Sequence, residues 1–208
     1  MNLLIKDIDA VHQRRWPGRP VSLVSRSMLV ACSPSLRMML MYRFAHWSYL
    51  KLQNGRPWAR LWRIIFIPFA PIKMAFRIIS KSEIYERNEI ESGVCFPDQG
   101  YIIFGPRKTG TGTVIGTRVT VGKGHADNGS PIIGRNVWIG SDCVVYGNIS
   151  IGDGATLLPG TVLSKSIPAG AVMRGNPARL VLPNFDNSKL LMLQDADAMQ
   201  YVTEKWGA

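Results

Sequence analysis

The second half of the chain has a hydrophobic pattern that repeats every six residues. Five consecutive hexads begin with an aliphatic residue: Ile133, Ile139, Val145, Ile151 and Leu157. Their fifth positions are small or β-branched: Val137, Cys143, Ile149, Ala155 and Thr161. This period fits neither an α-helix nor a single alternating strand, but it is typical of short strands joined by tight turns in a β-solenoid. The pattern therefore predicts a mainly β protein with one aliphatic side chain per face pointing inward.

One interruption of this repeat predicts a loop. Stepping back by six residues reaches Val121 and Ile115, each followed by glycine, so the phase continues upstream. The step after Val121 would place Asp127 in the dry interior, where a carboxylate is costly. Residues 124–131, GHADNGSP, are therefore expected to leave the coil as a loop that carries His125. Functional groups are commonly found on such loops over a rigid scaffold.

The first 90 residues lack the six-residue repeat and read as helical. Ser33-Pro34 is a good helix start, and the run that follows continues to a stop at Asn54-Gly55. A second apolar segment, residues 56–81, contains basic residues and two prolines that must kink or split a helix. Its longest uncharged run has nine residues, fewer than the roughly 20 that span a bilayer. This segment is expected either at a membrane surface or packed against protein.

The chain thus divides into three expected parts. Residues 1–90 form a helical, basic region, residues 91–182 form the solenoid, and residues 183–208 form a tail with one short amphipathic helix. The basic character is concentrated at the start: residues 1–90 carry 15 Lys+Arg against 5 Asp+Glu, and residues 91–208 carry 10 against 9. Such asymmetry indicates an anionic neighbour for the first part. No zinc-finger spacing or aromatic-basic RNA-binding signature accompanies it, which disfavours nucleic acid.

The cysteines and the first residues bear on the location of the protein. Cys32, Cys95 and Cys143 are few and scattered, without a CxxC pair, so neither a disulfide framework nor a metal site is predicted. The first apolar stretch contains an acidic pair and does not resemble a signal peptide. We therefore expect a cytoplasmic protein, whose basic part either lies on the inner face of the cytoplasmic membrane or packs against protein.

Two motifs in and around the repeat resemble those of the hexapeptide-repeat acyltransferases. Residues 124–141, GHADNGSPIIGRNVWIGS, are similar to the galactoside, maltose and nodulation-factor acetyltransferases, in which a histidine precedes a variable loop. Residues 160–179, GTVLSKSIPAGAVMRGNPAR, match their terminal signature. Residues 35–47, SLRMMLMYRFAHW, resemble the serine acetyltransferase group and its relatives that acetylate exopolysaccharides such as colanic acid. The resemblance covers roughly residues 90–182.

The resemblance implies a left-handed parallel β-helix, a homotrimer with active sites between neighbouring subunits, and acetyl-CoA as the donor. It implies His125 as general base and an acceptor site that includes Asp98, Gln99 and Asn128. Residues similar to the coenzyme-binding positions of the family are Trp138, Gly140, Ser141, Gly160, Thr161, Lys165, Arg174 and Arg179. Each of these has a plainer alternative: a loop histidine, a turn aspartate, an outward-facing tryptophan, corner residues of the solenoid, or surface charges.

One departure from the serine-type pattern affects the expected chemistry. Those enzymes have an Asp-His or His-His pair where this chain has Asp98-Gln99, and glutamine cannot accept a proton near neutral pH. His125 is then the candidate base in the solenoid. The expected function is acetyl-CoA-dependent O-acetylation of a sugar hydroxyl on a bacterial polysaccharide precursor or its lipid-linked form, by direct transfer. Serine O-acetylation and a non-catalytic scaffold are the alternatives.

Overall fold

The fold is described from a computed structural model, in which residues 2–53, 71, 74, 81–124 and 129–207 are described. Three helices come first: α1 (Asn2–Arg15), α2 (Leu23–Cys32) and α3 (Pro34–Gln53). Two helices end the described part: α4 (Ser188–Met192) and α5 (Asp195–Trp206). The strands between them are β1 (Glu83–Ile84), β2 (Glu89–Ile90), β3 (Ile103–Phe104), β4 (Lys108–Thr109), β5 (Val114–Ile115), β6 (Thr120–Gly122), β7 (Ile132–Ile133), β8 (Trp138–Ile139), β9 (Val144–Tyr146), β10 (Ser150–Ile151), β11 (Thr156–Leu157), β12 (Val162–Leu163), β13 (Val172–Arg174) and β14 (Arg179–Leu182).

These strands form the three faces of a solenoid. Face 1 has the strand order β1-β3-β6-β9-β12, face 2 has β2-β4-β7-β10, and face 3 has β5-β8-β11-β13-β14. The pairs within faces 1 and 2 are parallel, and on face 3 the last pair, β13 with β14, is antiparallel. Because the chain visits faces 1, 2 and 3 in turn, each coil stacks on the previous one. Isolated parallel bridges, Cys95 to Val114 and Ile151 to Ile167, complete the first and last coils.

The faces meet at three edges, which carry the turns. Edge 3/1 contains residues 97–101, 116–119, 140–143 and 158–161. Edge 1/2 contains residues 85–88, 105–107, 123–124, 129–131, 147–149 and 164–166. Edge 2/3 contains residues 91–94, 110–113, 134–137, 152–155 and 168–171. A residue at one edge therefore has its structural equivalents above and below it, in the neighbouring coils.

The interior of the solenoid confirms the predicted hexad phase. The aliphatic first positions are 0–2% exposed, and Cys143 is completely buried, as expected for an inward position. The interruption is confirmed too, since nine residues separate Gly122 at the end of β6 from Ile132 at the start of β7. At about 25 cal/mol per Å² of apolar surface, such a continuous column is the main source of stability for stacked coils.

The ends of the solenoid differ from the sequence prediction. The first coil begins at Glu83 rather than at residue 91, because the six-residue phase is hidden there by the longer turn at residues 97–101. The tail contains two helices, α4 and α5, instead of one, and α1 and α2 were not predicted. The predicted helix after Ser33 is confirmed as α3. The apolar basic segment lies largely outside the described residues.

The N-terminal helices are attached to the first coil through buried polar contacts. Asp7 of α1 is 2% exposed, and its carboxylate accepts hydrogen bonds from Arg43 of α3 (2.9 Å) and from the backbone N–H of Gly93 (2.8 Å). Tyr42 donates its hydroxyl hydrogen to the carbonyl of Asn88 at 2.5 Å. A buried carboxylate is stable when it is paired and hydrogen-bonded in this way. These contacts fix the helices relative to edge 2/3 and the start of face 2.

The outer surface of face 3 is covered by the tail. Val114, Trp138 and Val172 point outward from this face and are at most 4% exposed, because they pack in one cluster with residues of α4 and α5. Arg14 of α1 holds the start of α5 by donating to the Leu193 carbonyl (2.8 Å) and to Asp195 (3.0 Å). Faces 1 and 2 are therefore the faces whose outer sides are left for other contacts.

Among the helices of the described residues, none has both the length and the apolar character needed to cross a membrane. The sequence also predicts that residues 56–81 do not span a membrane, because their uncharged run is short. Most of that segment lies outside the described part of the chain.

Replacement of Leu157 by alanine tests the role of the interior column. Leu157 is completely buried, so the change removes apolar contacts and leaves a cavity, and we expect a loss of about 2–5 kcal/mol in the free energy of unfolding. Urea denaturation at a fixed protein concentration measures this loss. Leu180→Ala is the matched control, because Leu180 is 55% exposed and its loss should be within about 0.5 kcal/mol. Equal losses of unfolding free energy in the two variants would contradict the inward position of Leu157.

Candidate active site

Edge 3/1 begins with Asp98, whose carboxylate joins the solenoid to the helices. Ser35 donates to it from the hydroxyl (2.7 Å) and from the backbone N–H (3.3 Å), and the Ser33 hydroxyl donates to the same oxygen. Arg15, the last residue of α1, contacts the other oxygen at 3.3 Å. A carboxylate at this position also interacts favourably with the positive end of the α3 dipole. Asp98 therefore acts as an external cap for α3.

These contacts determine the ionisation of Asp98. Partial burial raises the pKa of its carboxyl, but the hydrogen bonds from Ser33 and Ser35 and the charge of Arg15 together lower that pKa below its ordinary value. Asp98 is thus a stable anion at neutral pH and a weak base. The serines that contact Asp98 lie more than 60 residues away in the sequence. The sequence marked them only as the start of a helix, and not as partners of Asp98.

Four predicted coenzyme-binding residues lie on the same edge, in later coils: Gly140, Ser141, Gly160 and Thr161. Ser141 is half-buried, and its hydroxyl accepts a hydrogen bond from the Thr117 hydroxyl at 3.0 Å. Gly160 is exposed, has a φ of 73°, and has open space where a side chain would be. Asp98, Gln99, Ser141 and Gly160 therefore share one edge of the solenoid, each accessible in this chain.

Packing accounts for the other two positions on this edge. A Cβ at Gly140 would lie 2.9 Å from the Leu157 carbonyl of the next coil, so glycine is required there by coil stacking. Thr161 is completely buried, and its hydroxyl donates to the carbonyl of Leu158 at 2.5 Å. Packing and hydrogen bonding within the fold are therefore enough to account for the residue types at these two positions.

Two further candidates have contacts that the sequence did not predict. Trp138 points outward from face 3, which was one of the two expectations, and the tail covers it there and leaves it 4% exposed. Arg174 was expected to meet coenzyme phosphates, but its guanidinium donates to the carbonyls of Trp206 (2.8 Å) and Gly207 (3.3 Å). Cations stabilise helix C-termini in this way. In this chain, Trp138 is a packing residue and Arg174 caps α5.

Edge 1/2 carries the second group of candidates. His125 and Asn128 lie outside the described residues, but the base of their loop is described. The Gly124 N–H donates to the Gly129 carbonyl at 3.3 Å, which closes the loop on this edge. Lys165 is exposed on the same edge, in the last coil. Among the described residues it has no ion-pair partner.

The solenoid cysteines are not suited to nucleophilic chemistry. Burial raises the pKa of the Cys143 thiol to about 12, and burial also raises the pKa of Cys95. Both thiols stay protonated at neutral pH, whereas the reactive form of cysteine is the thiolate. The described part of the chain therefore favours direct transfer over a thioester intermediate on cysteine.

Residues 130–165 match the family model "Bacterial transferase hexapeptide (six repeats)". This part of the solenoid is similar to the bacterial transferase hexapeptide repeats. A chloramphenicol acetyltransferase of Agrobacterium fabrum is 33% identical over 70 residues, which is 34% of this chain and 34% of that enzyme. The galactoside O-acetyltransferase of Escherichia coli strain K12 is 36% identical over 63 residues, or 30% of this chain and 31% of that enzyme. The matches thus span about a third of these relatives.

The likeness to solved structures extends over more of this chain. A Brucella abortus serine acetyltransferase solved in complex with coenzyme A covers 89% of this chain and 68% of that chain, with a TM-score of 0.69 at 23% identity. At this identity the likeness shows the fold alone. It establishes a left-handed parallel β-helix preceded by helices, which confirms the expected fold class and handedness.

The contacts of Asp98 predict a pH-dependent effect of its replacement by asparagine. Because the pKa of Asp98 is lowered in the folded protein, its ionisation stabilises the fold above the ordinary aspartate pKa of about 3.9. This contribution is lost as the pH falls through the lowered value. We expect Asp98→Asn to unfold at a lower temperature than the wild type at pH 7.

Thermal unfolding followed by circular dichroism between pH 7 and pH 2.5 measures the difference. It should shrink as the pH falls below about 4, where the carboxyl of the unfolded chain gains a proton first and that of the folded protein gains one at lower pH. Asp186→Asn is the control, since Asp186 contacts its neighbour Ser188 and joins no distant elements. A pH-independent deficit in Asp98→Asn would contradict the role given to the charge.

Proposed function

We propose that the protein is an acetyl-CoA-dependent O-acetyltransferase that acts on a sugar hydroxyl, with His125 as the general base. The observation that carries the proposal is the position of the two candidate groups relative to face 1. Asp98, Gln99, Ser141 and Gly160 lie on edge 3/1, where face 1 begins. The loop that contains His125 leaves edge 1/2, where face 1 ends. The two groups therefore flank one face.

The outer side of face 1 supports an assembly that brings these edges together. Its central column contains Ile103, Thr120, Val144 and Val162 in register, and Ile103 is 47% exposed. Among the described residues the tail covers face 3, and the three apolar side chains of this column are partly or well exposed on face 1. In a three-fold ring each contact joins two different patches. One subunit's edge 1/2 would then meet the edge 3/1 of its neighbour, as proposed for a homotrimer.

The proposed chemistry is direct acetyl transfer. The acceptor hydroxyl gives its proton to His125 while its oxygen forms a bond with the acetyl carbonyl carbon. The carbon–sulfur bond then breaks, and the proton passes from His125 to the departing thiolate. Coenzyme A supplies the activated acetyl group when it is bound. A histidine has nearly the right pKa for both proton transfers.

The described residues fit coenzyme A in charge and in access. Lys165 and Arg179 are exposed cations, and neither has an ion-pair partner in the described part of the chain. Such residues bind phosphate groups. Gly160 leaves open space at edge 3/1, where a narrow pantetheine arm would contact the backbone beside Ser141.

A sugar acceptor is favoured over serine by one residue. Gln99 cannot serve as the base that the serine-type enzymes have at this position. One of the relatives is a galactoside O-acetyltransferase, whose name gives a sugar acceptor, and the motif around His125 resembles that group of enzymes. The basic first 90 residues favour an acceptor that is lipid-linked or polymer-bound near a membrane. We propose that the protein acts at the inner face of that membrane.

Replacement of His125 by alanine tests the base. We expect acetyl transfer to fall by about two to four orders of magnitude, with assembly and coenzyme binding retained. Coenzyme release from acetyl-CoA should be followed with a panel of sugars and with serine, and coenzyme binding should be measured by calorimetry. Near-wild-type turnover in His125→Ala would refute the base assignment. Serine as the best acceptor would refute the sugar proposal, and absence of coenzyme binding in the wild type would support a scaffold instead.

Mixing two inactive variants tests whether sites form between subunits. His125→Ala should be inactive as a pure assembly because it lacks the base, and Asp98→Ala because it releases the first turn of α3 from the edge that carries the acceptor site. Each proposed site needs His125 from one subunit and Asp98 from its neighbour, so random reassembly of equal amounts should restore about a quarter of wild-type activity. The control is a mixture of His125→Ala with itself, treated identically. No recovery in mixed assemblies verified by mass spectrometry would contradict shared sites.

A further inference from the structure

A pocket lies between the first turn of α3 and the top of edge 3/1. Its volume is about 480 Å³, and the residues that line it include Pro34, Arg37, Met38, Lys81, Gln99 and Tyr101. Small-molecule sites in proteins have volumes of about 300–1,000 Å³. The pocket adjoins Asp98, so it lies beside the residues assigned to the acceptor in the proposed function.

The charges around this pocket are predominantly positive. Arg37 and Lys81 line it, and Arg15 lies beside Asp98. Asp98 is the acidic residue of the lining, and its oxygens already accept hydrogen bonds from Ser33, Ser35 and Arg15. The first turn of α3 contains no acidic residue, so the positive end of that helix is balanced by Asp98 alone. A negatively charged ligand would therefore be attracted to the pocket.

Arg37 has no evident role in stabilising the fold. It is exposed, and among the described residues its side chain has no ion-pair or hydrogen-bond partner. A cation in the first turn of a helix is unfavourable because it faces the positive end of the dipole. Arg37 is thus a free guanidinium on the wall of the pocket, with a fork that matches phosphate and carboxylate groups.

Lys81 is a second cation in the lining of the pocket. Its ammonium donates to the Tyr101 hydroxyl at 3.0 Å and lies 5.2 Å from the centre of the Tyr101 ring. Its backbone has a φ of 50°, a conformation that is costly for a residue with a side chain. The Ser82 hydroxyl donates to the Gly100 carbonyl at 2.7 Å, which joins this segment to edge 3/1. The cation is therefore positioned by its neighbours.

The rest of the lining suits a sugar ring. Tyr101 is 58% exposed, and an aromatic face packs against the C–H groups of a pyranose. Pro34 and Met38 add apolar surface, and the Gln99 amide offers both a donor and an acceptor for hydroxyl groups. A ring with one anionic substituent would use all of these contacts at once.

We propose that this pocket binds the anionic group of the acceptor, a sugar that carries a phosphate or a carboxylate, through Arg37 and Lys81. The inference rests on the proposed sugar acetyltransferase function and deepens it by naming the acceptor class. The anion would lie between the two cations, with the sugar ring directed past Gln99 toward the outer side of face 1.

Calorimetric titration of the full-length protein, without acetyl-CoA, tests this assignment. The probes are glucose 1-phosphate, glucuronate and the neutral methyl glucoside. We expect one of the anionic probes to bind at least about 10-fold more tightly than methyl glucoside, since hydrogen bonds between charged groups are the strong ones. The tighter of the two identifies phosphate or carboxylate as the group recognised.

Variants then locate the binding. Arg37→Gln and Lys81→Gln should each weaken the favoured probe by about 10-fold, while Arg37→Lys, which keeps the charge, should lose less. Arg135→Gln is the matched control, because Arg135 is an exposed arginine on edge 2/3 and its loss should leave affinity unchanged. Thermal unfolding of each variant verifies that the fold is intact.

Three results would overturn the proposal: equal binding of neutral and anionic probes, unchanged affinity in both pocket variants, or an equal loss in Arg135→Gln. These results are distinguishable from failure of the proposed function. Binding is measured without the acetyl donor, and transfer to neutral sugars would survive failure of the anion site. Conversely, His125→Ala would abolish transfer and leave the affinity of the anionic probe unchanged.

Discussion

The close stacking of aliphatic side chains inside the solenoid is the constraint on which the rest of the structure depends. Each coil contributes inward residues that contact those of the coils above and below, and Ile139, Val145 and Leu157 have 0% exposure in this column. The column has no room for insertions, so additional residues must leave at an edge. The loop with His125 does so between β6 and β7. Rigid stacking thereby keeps each edge residue in a fixed position relative to its equivalents in neighbouring coils.

The faces of this solenoid have different roles because their outer surfaces differ. The tail covers face 3 and buries Trp138, and Arg14 holds the tail in place through Asp195. The outer column of face 1 contains Ile103, Thr120, Val144 and Val162 in register, so a threonine interrupts its apolar side chains. The proposed assembly would use face 1, because Asp98 lies at one edge of this face and Gly124 and Gly129 lie at the other.

Asp98 links the two parts of the molecule. Its carboxylate is part of the solenoid edge, but its hydrogen bonds come from Ser33 and Ser35 at the start of α3. A charge-assisted contact of this kind holds the first turn of the helix beside the edge and so shapes the neighbouring pocket. The same contact uses the acceptor capacity of the aspartate, so in the proposed anion site Arg37 and Lys81 would be the residues that meet the ligand.

The sequence by itself determined the six-residue repeat, the inward residues, the loop around His125 and the helix after Ser33. These features are local or strictly periodic, so a pattern of neighbouring residues is enough to specify them. Only the tertiary structure decided the partners of Asp98, the burial of Trp138, the capping role of Arg174 and the pocket between α3 and edge 3/1. Each of these joins elements that lie tens of residues apart in the sequence: Arg174 contacts a carbonyl 32 residues away, and Asp98 contacts a serine 65 residues away. No period in the sequence encodes such contacts, because they depend on how complete elements pack against one another.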